Sequence, residues 1–498
     1  MNVNPITRLD YPDLDVIRVE DTYYMVSTTM HFMPGCEILQ SFDLVHWEHV
    51  TYVYETLDHT DAQQLKSGQN IYGQGMWAAS LRYHEGRFYI CFVANDTRKT
   101  YLYTSEKIDG PWKKQLIEGF YHDGSLLFDE DGRNYIVYGN DEIWITELNE
   151  DLTAPKKDGL HRLLVSDHKN PELGYEGSHI QKINGYYYIF LIHSLRDRWM
   201  RTEACFYSDS LEGEFTGGDV LCDDRGYCGQ GVAQGGIVDT PDGKWYAMLF
   251  QDSGAVGRIP ILLPVTWKDH FPFFGQNGHV PEEIEVHSTR PGYIYQPLVG
   301  SDDFCNGLLP RWQFNHDPDP RYYHLDALQG TYTITTREVC TELTQAVNTL
   351  TQRMSYPSCA AEVTVDASAL KEGDVASLCA LQSCYAAVGI TKHHGKYEVL
   401  MLDKKEDGIL DMTEGTVVES HQMDFRLEAD FCNMKDEARC YYRVNKGDWL
   451  PIGTVHKLYF KLDHFTGCRF GLFCYAAEET GGSACFRDFK YYDVDEIS

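Results

Sequence analysis

A short turn followed by an aromatic residue recurs five times in this 498-residue chain and constrains its fold more than any other feature. The five turns lie at Glu20–Tyr24, Glu85–Tyr89, Asp131–Tyr135, Asn184–Tyr188 and Asp242–Tyr246. Apolar runs flank each turn. Such runs around Asp-Gly or Asn-Gly predict β-hairpins because these residues accept the positive φ of a tight turn. The final tyrosines lie 46 to 65 residues apart, which is typical of propeller blades of three or four strands. We therefore predict a five-bladed β-propeller; the alternative is a series of unrelated hairpins.

The repeat also predicts where a functional site lies. Twelve residues before the last aromatic residue of units two to five stand Trp77, Asp123, Glu176 and Gln234, and eleven before that of unit one stands Asp13. Strand register decides which residues share a height and a face. We therefore expect these five side chains to converge on the central channel, with the turn of unit one being one residue shorter.

Three carboxylates at one register indicate acid–base chemistry. A carboxylate that begins an apolar strand is costly unless it is solvated, paired or used. Carboxylates that share a cavity push their pKa values apart, which lets one act as an acid while another stays a base. Inverting glycosidases hold two such groups about 6.5–9.5 Å apart, and retaining ones about 5–5.5 Å apart. A turn cap or a solvated strand end explains any one Asp, but explains three at one register poorly.

Charge and composition indicate which class of ligand the protein binds and in which cellular compartment it works. The formal charge of −32 argues against nucleic acids and anionic membranes, and a neutral sugar fits it. The N-terminus has neither a basic nor an apolar leader region, and the sequence has no apolar run long enough to span a membrane. Fifteen cysteines without a C-x-x-C pair favour reduced thiols. We therefore expect a cytoplasmic protein that acts on a small oligosaccharide, and leave homo-oligomerisation open.

At these residues the chain resembles glycoside hydrolase family 43, whose members are five-bladed propellers and include β-xylosidases and α-L-arabinofuranosidases. The resemblance rests on five motifs in the family's order: Tyr11–Val19, Gly75–Ala79, His122–Leu126, Tyr175–Ile180 and Gln234–Thr240. It implies that Asp13 is the general base that activates water and that Glu176 is the general acid. Asp123 would position Glu176 and raise its pKa.

The resemblance also implies residues that bind the substrate. Arg258 falls where relatives place a substrate-binding arginine, and Trp77 would form a wall of the sugar pocket, unless it is an ordinary core residue. Relatives often carry an aromatic residue where Met30 stands here, and Phe32, two residues on, is the candidate wall residue. Many relatives have a histidine at the fifth channel position, sometimes beside calcium, where this chain has Gln234. An amide oxygen can face such a cation, but nothing in the sequence supports calcium, so no cofactor is expected to be required and any metal is left unknown.

The propeller pattern stops near Arg290, so we place the catalytic domain at residues 1–295 and an accessory domain at 301–498. Alternating strands such as 360–365 and 397–401 predict a β-sandwich with a jelly-roll layout. The segments 350–353 and 373–378 resemble the concanavalin-A-like C-terminal domain of family β-xylosidases. In such relatives a loop of this domain closes over the pocket, which favours exo action on one terminal sugar. The competing interpretation is a separate carbohydrate-binding domain.

The sequence therefore favours an inverting, exo-acting hydrolase that releases β-D-xylose, α-L-arabinofuranose or both from xylo- or arabino-oligosaccharides, with xylosidase activity ranked first. A propeller that binds sugar without cutting it is the alternative from another class; it would lack the acid or the base, and both positions are filled. A retaining fructoside hydrolase would carry an Asn-Asp-Pro-type motif near the N-terminus, which residues 11–14 do not match.

Overall fold

The computed structural model describes residues 2–493, and the predicted all-β architecture of a propeller followed by a sandwich is confirmed. Within that range the helical segments are four short 3₁₀ turns, at Lys66–Gly68, Gly254–Val256, Leu343–Gln345 and Cys432–Met434. No longer helix occurs in this range, so strand ends and the loops that connect strands position the functional side chains.

The five predicted blades are five separate four-stranded antiparallel sheets, in each of which the strands neighbour one another in chain order. The strands are Asp15–Val19, Thr22–Val26, Gly35–Ser41 and Glu48–Tyr54 in blade one; Met76–His84, Arg87–Ala94, Lys99–Ser105 and Lys113–Ile117 in blade two; Ser125–Phe128, Asn134–Asn140, Glu142–Leu148 and His161–Ser166 in blade three; Glu176–Ile183, Tyr186–Ser194, Arg201–Ser208 and Thr216–Leu221 in blade four; and Val232–Asp239, Trp245–Asp252, Arg258–Lys268 and Phe271–Phe274 in blade five. Each recurring turn of the sequence joins the first two strands of its blade.

The lengths of these turns differ between blades and correct the register that we inferred by counting. Blades one, two and four use two-residue turns, as in the pairs Val19↔Thr22 and His84↔Arg87. Blades three and five use three-residue loops, closed by the hydrogen bonds from Asp129 N to Arg133 O and from Thr240 N to Lys244 O. The shorter turn that we expected in blade one alone is thus present in three blades.

Allowing for these lengths, the residues at equivalent positions are Asp13, Ala78, Asp123, Gly177 and Gln234. All five have positive φ, between 31° and 66°. In blades two, four and five the pairing slips by one residue here, which marks a β-bulge. Trp77 and Glu176 therefore stand one residue before the position we gave them. Trp77 and Glu176 still reach the predicted site despite this one-residue difference, because a bulge brings two successive residues to the rim of the channel.

Two residues further along each first strand, side chains join neighbouring blades. Asp15 Oδ2 accepts from the Leu81 backbone N–H at 2.8 Å, and Ser80 Oγ accepts from that of Leu126 at 3.1 Å. Ser125 Oγ accepts in the same way from Ile180 at 3.0 Å. These buried bonds fix blades one to four around the channel, so the residues at the channel mouth keep a defined separation.

The ring closes between blades five and one. Arg18 Nε donates to the backbone oxygen of Asp239 at 3.0 Å, and the two side chains form an ion pair. The N-terminal strand Asn2–Val3 pairs with Glu283–Ile284, which follows the last blade. Both ends of the propeller sequence are therefore held at this seam.

The second domain is a sandwich of two antiparallel sheets. One sheet contains Phe32–Met33, Gln313–Asn315, Leu350–Arg353, Arg469–Ala476, Asp374–Leu381, Ala386–His393, Lys396–Lys404, Leu410–Met412 and Thr416–Val418. The other contains Tyr323–Asp326, Thr331–Thr335, Ser483–Asp493, Ser358–Asp366, Gln422–Asp430, Glu437–Val444 and Leu450–Lys457. One continuous apolar core lies between them, with Val388 and Phe470 from the first sheet and Phe425 from the second fully buried.

The domains share more than a surface, since a propeller strand belongs to the sandwich. Phe32–Met33, in the loop between the second and third strands of blade one, pairs with Gln313–Asn315. Phe32 is buried under the guanidinium of Arg469, whose carbon lies 3.5 Å from the ring centroid. The structure therefore places Phe32 in the domain junction, and its predicted role as a pocket wall has no support from this position.

A buried ion pair reinforces the junction. Arg353 of the sandwich donates to Glu37 Oε2 at 2.8 Å and to the backbone oxygen of Asp10 at 2.9 Å, and its guanidinium lies over the Tyr11 ring. Nearby, the rings of His31, His316 and His464 cluster with that of Tyr72. Burial lowers the pKa of all three histidines, to about 4 for His464.

Two features bear on the expectations about compartment. No helix in residues 2–493 is long and apolar enough to cross a membrane. All fifteen cysteines are free thiols in the structure, and most of them are buried.

Candidate functional site

The three predicted carboxylates converge at one mouth of the propeller channel. Asp13 and Asp123 occupy the positive-φ position of blades one and three, and both are buried. Glu176 begins the first strand of blade four, and 19% of its side chain is exposed. The charges of Asp13 and Glu176 both act on Asp123, so the three groups share one electrostatic site. The three carboxyl groups that the sequence analysis selected thus lie in one site despite the register slip, and their catalytic roles stay predictions.

Asp13 is held by a donor at each carboxylate oxygen. Arg258 Nη1 donates to Oδ1 at 2.8 Å, and the hydroxyl of Thr28 donates to Oδ2 at 2.7 Å. A guanidinium and a hydroxyl, one on each oxygen, therefore fix the orientation of the Asp13 carboxyl group at the channel mouth.

Asp123 and Glu176 lie close together, with a histidine between them. Ligand atoms of Asp123, Glu176 and His122 lie within 4.8 Å of one another. The His122 Nε2 atom is 3.6 Å from Asp123 Oδ2 and 3.7 Å from Glu176 Oε2. Asp123 Oδ2 also accepts from the Gly177 backbone N–H at 3.0 Å, and Asn140 Nδ2 donates to Glu176 Oε2 at 2.8 Å. Asp123 thereby holds the backbone immediately after Glu176.

The local electrostatics raise the pKa values of both Asp123 and His122 above their ordinary values. Burial raises the pKa of Asp123 to about 6; the charges of Glu176 and Asp13 add to the rise, and His122 opposes it. Asp123 in turn is the main cause that raises the pKa of His122 to about 9, with Glu176 contributing. A cationic imidazole therefore faces the carboxyl groups of Asp123 and Glu176 at neutral pH, which is a setting for proton transfer.

Sequence reasoning missed His122, although it directly precedes Asp123 within a quoted motif. Counting in steps of one blade selects a single position per blade, and a bulge exposes two. By the corrected register, His122 is equivalent to Trp77 and Glu176. A search that allowed adjacent positions would have found it.

Aromatic rings from both domains form the walls. Trp77 is half-buried, with its ring centroid 6.2 Å from that of His122 and 5.3 Å from that of Phe465, a sandwich residue. The guanidinium of Arg258 lies between Phe465, at 4.5 Å, and Phe250, at 5.3 Å. Its Nε and Nη2 atoms are buried without a protein hydrogen-bond partner. Arg258 thus has donors left for a ligand beside Asp13, as its predicted substrate-binding role requires.

The loop that carries Phe465 is fixed to the propeller by one carboxylate. Asp10 Oδ2 accepts from the Gly467 backbone N–H and Oδ1 from that of Arg258, both at 2.8 Å. A Cβ atom added at Gly467 would lie 2.1 Å from Val256 O, so only glycine fits this close approach. The sandwich therefore completes the wall of the site, as the resemblance implied, and Phe465 was beyond the reach of a repeat-based search.

Blade four contributes a second arginine that the sequence analysis did not identify. Arg201 Nε donates to Asp252 Oδ2 at 2.6 Å, and its guanidinium lies 5.4 Å from the Phe250 centroid, so Phe250 separates the two arginines. Burial lowers the pKa of Arg201, but the charges of Asp252, Glu176 and Asp13 outweigh it and raise that pKa. Arg201 therefore lies within the field of both the predicted acid and the predicted base.

Gln234 occupies the fifth bulge, where its side chain lies against Gly177, the residue that follows Glu176. Its backbone N–H donates to Glu203 Oε2 at 2.7 Å, and its carboxamide group packs against the backbone of Gly177. Direct binding of substrate by Gln234 stays a prediction.

The one cluster in residues 2–493 with metal-ligand spacing is His122, Asp123 and Glu176 itself. Calcium takes six to eight oxygen ligands, and this set offers two carboxylates and an imidazole already engaged with one another. These residues do not fit calcium, and no step below depends on a metal.

A five-bladed propeller with three carboxylates, an arginine and aromatic walls at its channel mouth defines the class of the protein as a glycoside hydrolase. The comparisons with known proteins agree. Residues 3–272 match Glycosyl hydrolases family 43, and residues 301–492 match the Beta xylosidase C-terminal Concanavalin A-like domain. The first match covers more than half of the chain, and the chain therefore belongs to glycosyl hydrolase family 43.

Relatives resemble it over nearly the whole chain. A β-xylosidase of Formosa agariphila is 26% identical over 99% of this chain and 89% of its own length. Among solved structures, a bifunctional GH43–CE protein of Bacteroides eggerthii is 42% identical with a TM-score of 0.93, covering 99% of this chain. The chain spans 64% of the length of that protein. An engineered family 43 hydrolase, described as displaying both endo-xylanase and exo-arabinofuranosidase activity, is 27% identical with a TM-score of 0.86 over 99% of both chains.

Proposed function

We propose that the chain is an exo-acting, inverting pentosidase that releases β-D-xylose or α-L-arabinofuranose from the ends of xylo- or arabino-oligosaccharides. One observation carries this proposal: Asp13, Asp123 and Glu176 meet at a channel mouth that a sandwich loop bearing Phe465 borders. The Formosa agariphila relative is named a β-xylosidase and a Bacteroides ovatus relative a non-reducing end α-L-arabinofuranosidase, which supports the substrate class. We rank xylose first.

In the proposed reaction Asp13 accepts a proton from water as the water oxygen bonds to the anomeric carbon. The bond from that carbon to the leaving oxygen breaks, and the carboxyl of Glu176 donates its proton to that oxygen. The products are a pentose of inverted configuration and an oligosaccharide one sugar shorter, and proton exchange with solvent restores both carboxyls. Asp123 and His122 tune Glu176, and Arg258 orients Asp13.

Exo action follows in this proposal from the position of Phe465. Its ring contacts both Arg258 and Trp77, so it closes one side of the space beside Asp13. A cavity closed on one side accepts one terminal ring. Internal sugars of a long chain would collide with the loop.

The test compares 4-nitrophenyl β-D-xyloside with 4-nitrophenyl α-L-arabinofuranoside, using the wild type, Asp13→Ala and Glu176→Ala. We expect turnover of at least one substrate and loss of activity in Asp13→Ala even with this activated leaving group, because water must still be deprotonated. Glu176→Ala should lose far more activity on xylobiose than on the aryl glycoside, which needs the acid less. Turnover of neither substrate by the wild type would refute the pentosidase assignment.

The anomer of the first product tests inversion. Proton NMR during hydrolysis of xylobiose should show α-xylose before mutarotation, and β-xylose would indicate a retaining mechanism. We further propose that no cofactor is required, so exhaustive dialysis against EDTA should leave kcat unchanged. A reducing cytoplasmic compartment is proposed from the fifteen free thiols, and substantial loss of activity under reducing conditions would contradict it.

A further inference from the structure

An exposed tryptophan stands at the rim of the site and has no role in the chemistry above. All nine tryptophans lie in the described part of the chain, and Trp199 alone among them is exposed, at 46%. Aromatic side chains bury large areas on folding, so a lone exposed tryptophan beside a site favours a ligand-binding role over a structural one.

The fold places Trp199 at the same end of the propeller as the carboxylates. Residues 195–200 connect the second strand of blade four, Tyr186–Ser194, to the third, Arg201–Ser208. Ile192 pairs with Glu176 on one side and with Glu203 on the other. The loop therefore rises just beyond the start of the first strand, on the blade that carries Glu176.

The loop holds its shape through its own hydrogen bonds. Ser194 Oγ accepts from the Met200 backbone N–H at 2.8 Å, and the Leu195 backbone N–H donates to Met200 O at 3.1 Å. Met200 is buried. The tryptophan is thus presented from a hairpin end fixed on both sides.

A chain of stacked groups links Trp199 to the predicted base. The Arg201 guanidinium lies 5.3 Å from the Trp199 centroid and 5.4 Å from that of Phe250. Arg258 lies on Phe250 at 5.3 Å and donates to Asp13 at 2.8 Å. Two guanidiniums and one phenyl ring thus lie between the indole face and Asp13.

We propose that Trp199 is the stacking platform for the sugar ring that leaves, namely the ring bonded to the oxygen that Glu176 protonates. This inference rests on the proposed function. The leaving group must lie beside the acid, and Trp199 is the exposed aromatic residue on the blade of the acid. The ligand is a neutral pyranose ring, whose C–H face packs on an indole with little need for directed hydrogen bonds. Trp199 thereby favours oligosaccharides over glycosides with small leaving groups.

The test uses two substrates with the same terminal sugar and different leaving groups. Xylobiose has a ring to stack, and β-D-xylosyl fluoride has a single atom. For Trp199→Ala we expect kcat/KM on xylobiose to fall roughly tenfold or more, and that on the fluoride to stay within about twofold of the wild type. Trp199→Phe should retain most of the xylobiose activity because it keeps a ring.

A matched control separates stacking from a general loss of exposed aromatic surface. Tyr83 is 45% exposed and lies near the end of the first strand of blade two, at the opposite mouth of the channel. Tyr83→Ala should change neither substrate's kcat/KM.

The outcomes distinguish this inference from the proposed function. If the wild type hydrolyses neither substrate, xylosidase activity is excluded and a platform for a xylosyl leaving ring is refuted, while hydrolysis of 4-nitrophenyl α-L-arabinofuranoside still decides the pentosidase assignment. If the wild type hydrolyses both, and Trp199→Ala either reduces both equally or changes neither, the pentosidase assignment stands and the platform is refuted. Binding gives a second readout without turnover: in the Glu176→Gln background, Trp199→Ala should weaken the affinity for xylobiose and leave that for xylose unchanged.

Discussion

Removing the charge of His122 should move the basic limb of the pH–activity profile to higher pH. The imidazole lies 3.6 Å from Asp123 and 3.7 Å from Glu176, and its pKa is raised to about 9, so it is cationic at neutral pH. A positive charge stabilises the ionised form of neighbouring carboxyl groups, and His122 accordingly opposes the rise that burial causes in the pKa of Asp123; its charge therefore drives the acidic proton from this carboxyl pair at lower pH. In His122→Gln the side chain keeps polar atoms and loses the charge.

Coulomb's law gives the size of the effect. At 3.7 Å the interaction of two unit charges is about 4.5 kcal/mol for an effective dielectric constant of about 20 and about 1.1 kcal/mol in bulk water. These values correspond to about 3 and about 0.8 pKa units. The side chains of His122 and Glu176 are 21% and 19% exposed, so solvent screens part of the interaction, and Asp123 becomes neutral more easily in the variant and offsets another part. We expect an upward shift of the basic limb by about one pKa unit or more.

The assay is kcat/KM for xylobiose from pH 5 to 10, measured by the release of xylose. The profile of kcat/KM reports the pKa values of the free enzyme, and a sugar leaving group needs the acid throughout. The two profiles should converge above about pH 9, where His122 of the wild type also loses its charge. His279→Gln is the control, since His279 is 73% exposed and pairs with Asp223; its profile should match that of the wild type. A basic limb that stays in place or moves to lower pH would refute the role given to His122.

Three further predictions concern the junction between the domains. Gly467→Ala places a methyl group 2.1 Å from a propeller carbonyl, so the loop must move, and we expect a higher KM for pentosides with secondary structure unchanged by circular dichroism. Arg353→Met removes the arginine partner of buried Glu37 and leaves it only His49, at 3.1 Å, so urea unfolding should show a loss of roughly 3–5 kcal/mol, whereas a change below about 1 kcal/mol would contradict this. The junction histidines have pKa values below those of the unfolded chain, to about 4 for His464. The unfolded state therefore binds more protons between about pH 4 and 6.5, and the melting temperature should fall as the pH decreases through that window; His464→Gln should reduce this dependence.

The fold was predictable because the sequence of each blade contains its own turn signal. Asn184-Gly185 and Asp242-Gly243 are turn signals that require no knowledge of the rest of the chain, and their recurrence sets the number of blades. The register was less accessible, because a two-residue and a three-residue connection look alike in sequence. Whether a loop begins at Glu130 or at Asp131 depends on pairing that only the folded sheet shows.

The residues of the candidate site were likewise only partly predictable from the sequence. Asp13, Asp123 and Glu176 are marked by position within a repeat, so the sequence identifies them. Phe465 has no such mark, since it comes from a different domain, 191 residues after the last blade ends at Phe274, and reaches the site only through long-range packing. The position of Phe32 in the domain junction was not predictable for a related reason: its neighbours in sequence belong to the propeller, but its strand partners belong to the sandwich.

The geometry of the junction also helps to decide whether the sandwich domain closes over the pocket or binds carbohydrate as an independent domain. The sandwich face that meets the propeller is occupied by Arg353 on Glu37 and by Arg469 on Phe32. Because one carboxylate, Asp10, accepts hydrogen bonds from the backbones of both Arg258 and Gly467, the position of Arg258 and that of the sandwich loop are set together. A domain that only bound carbohydrate would need no such coupling, and its removal would leave the catalytic groups intact. Here the sandwich supplies a wall of the site and fixes an arginine beside the predicted base, so we assign it to the catalytic unit.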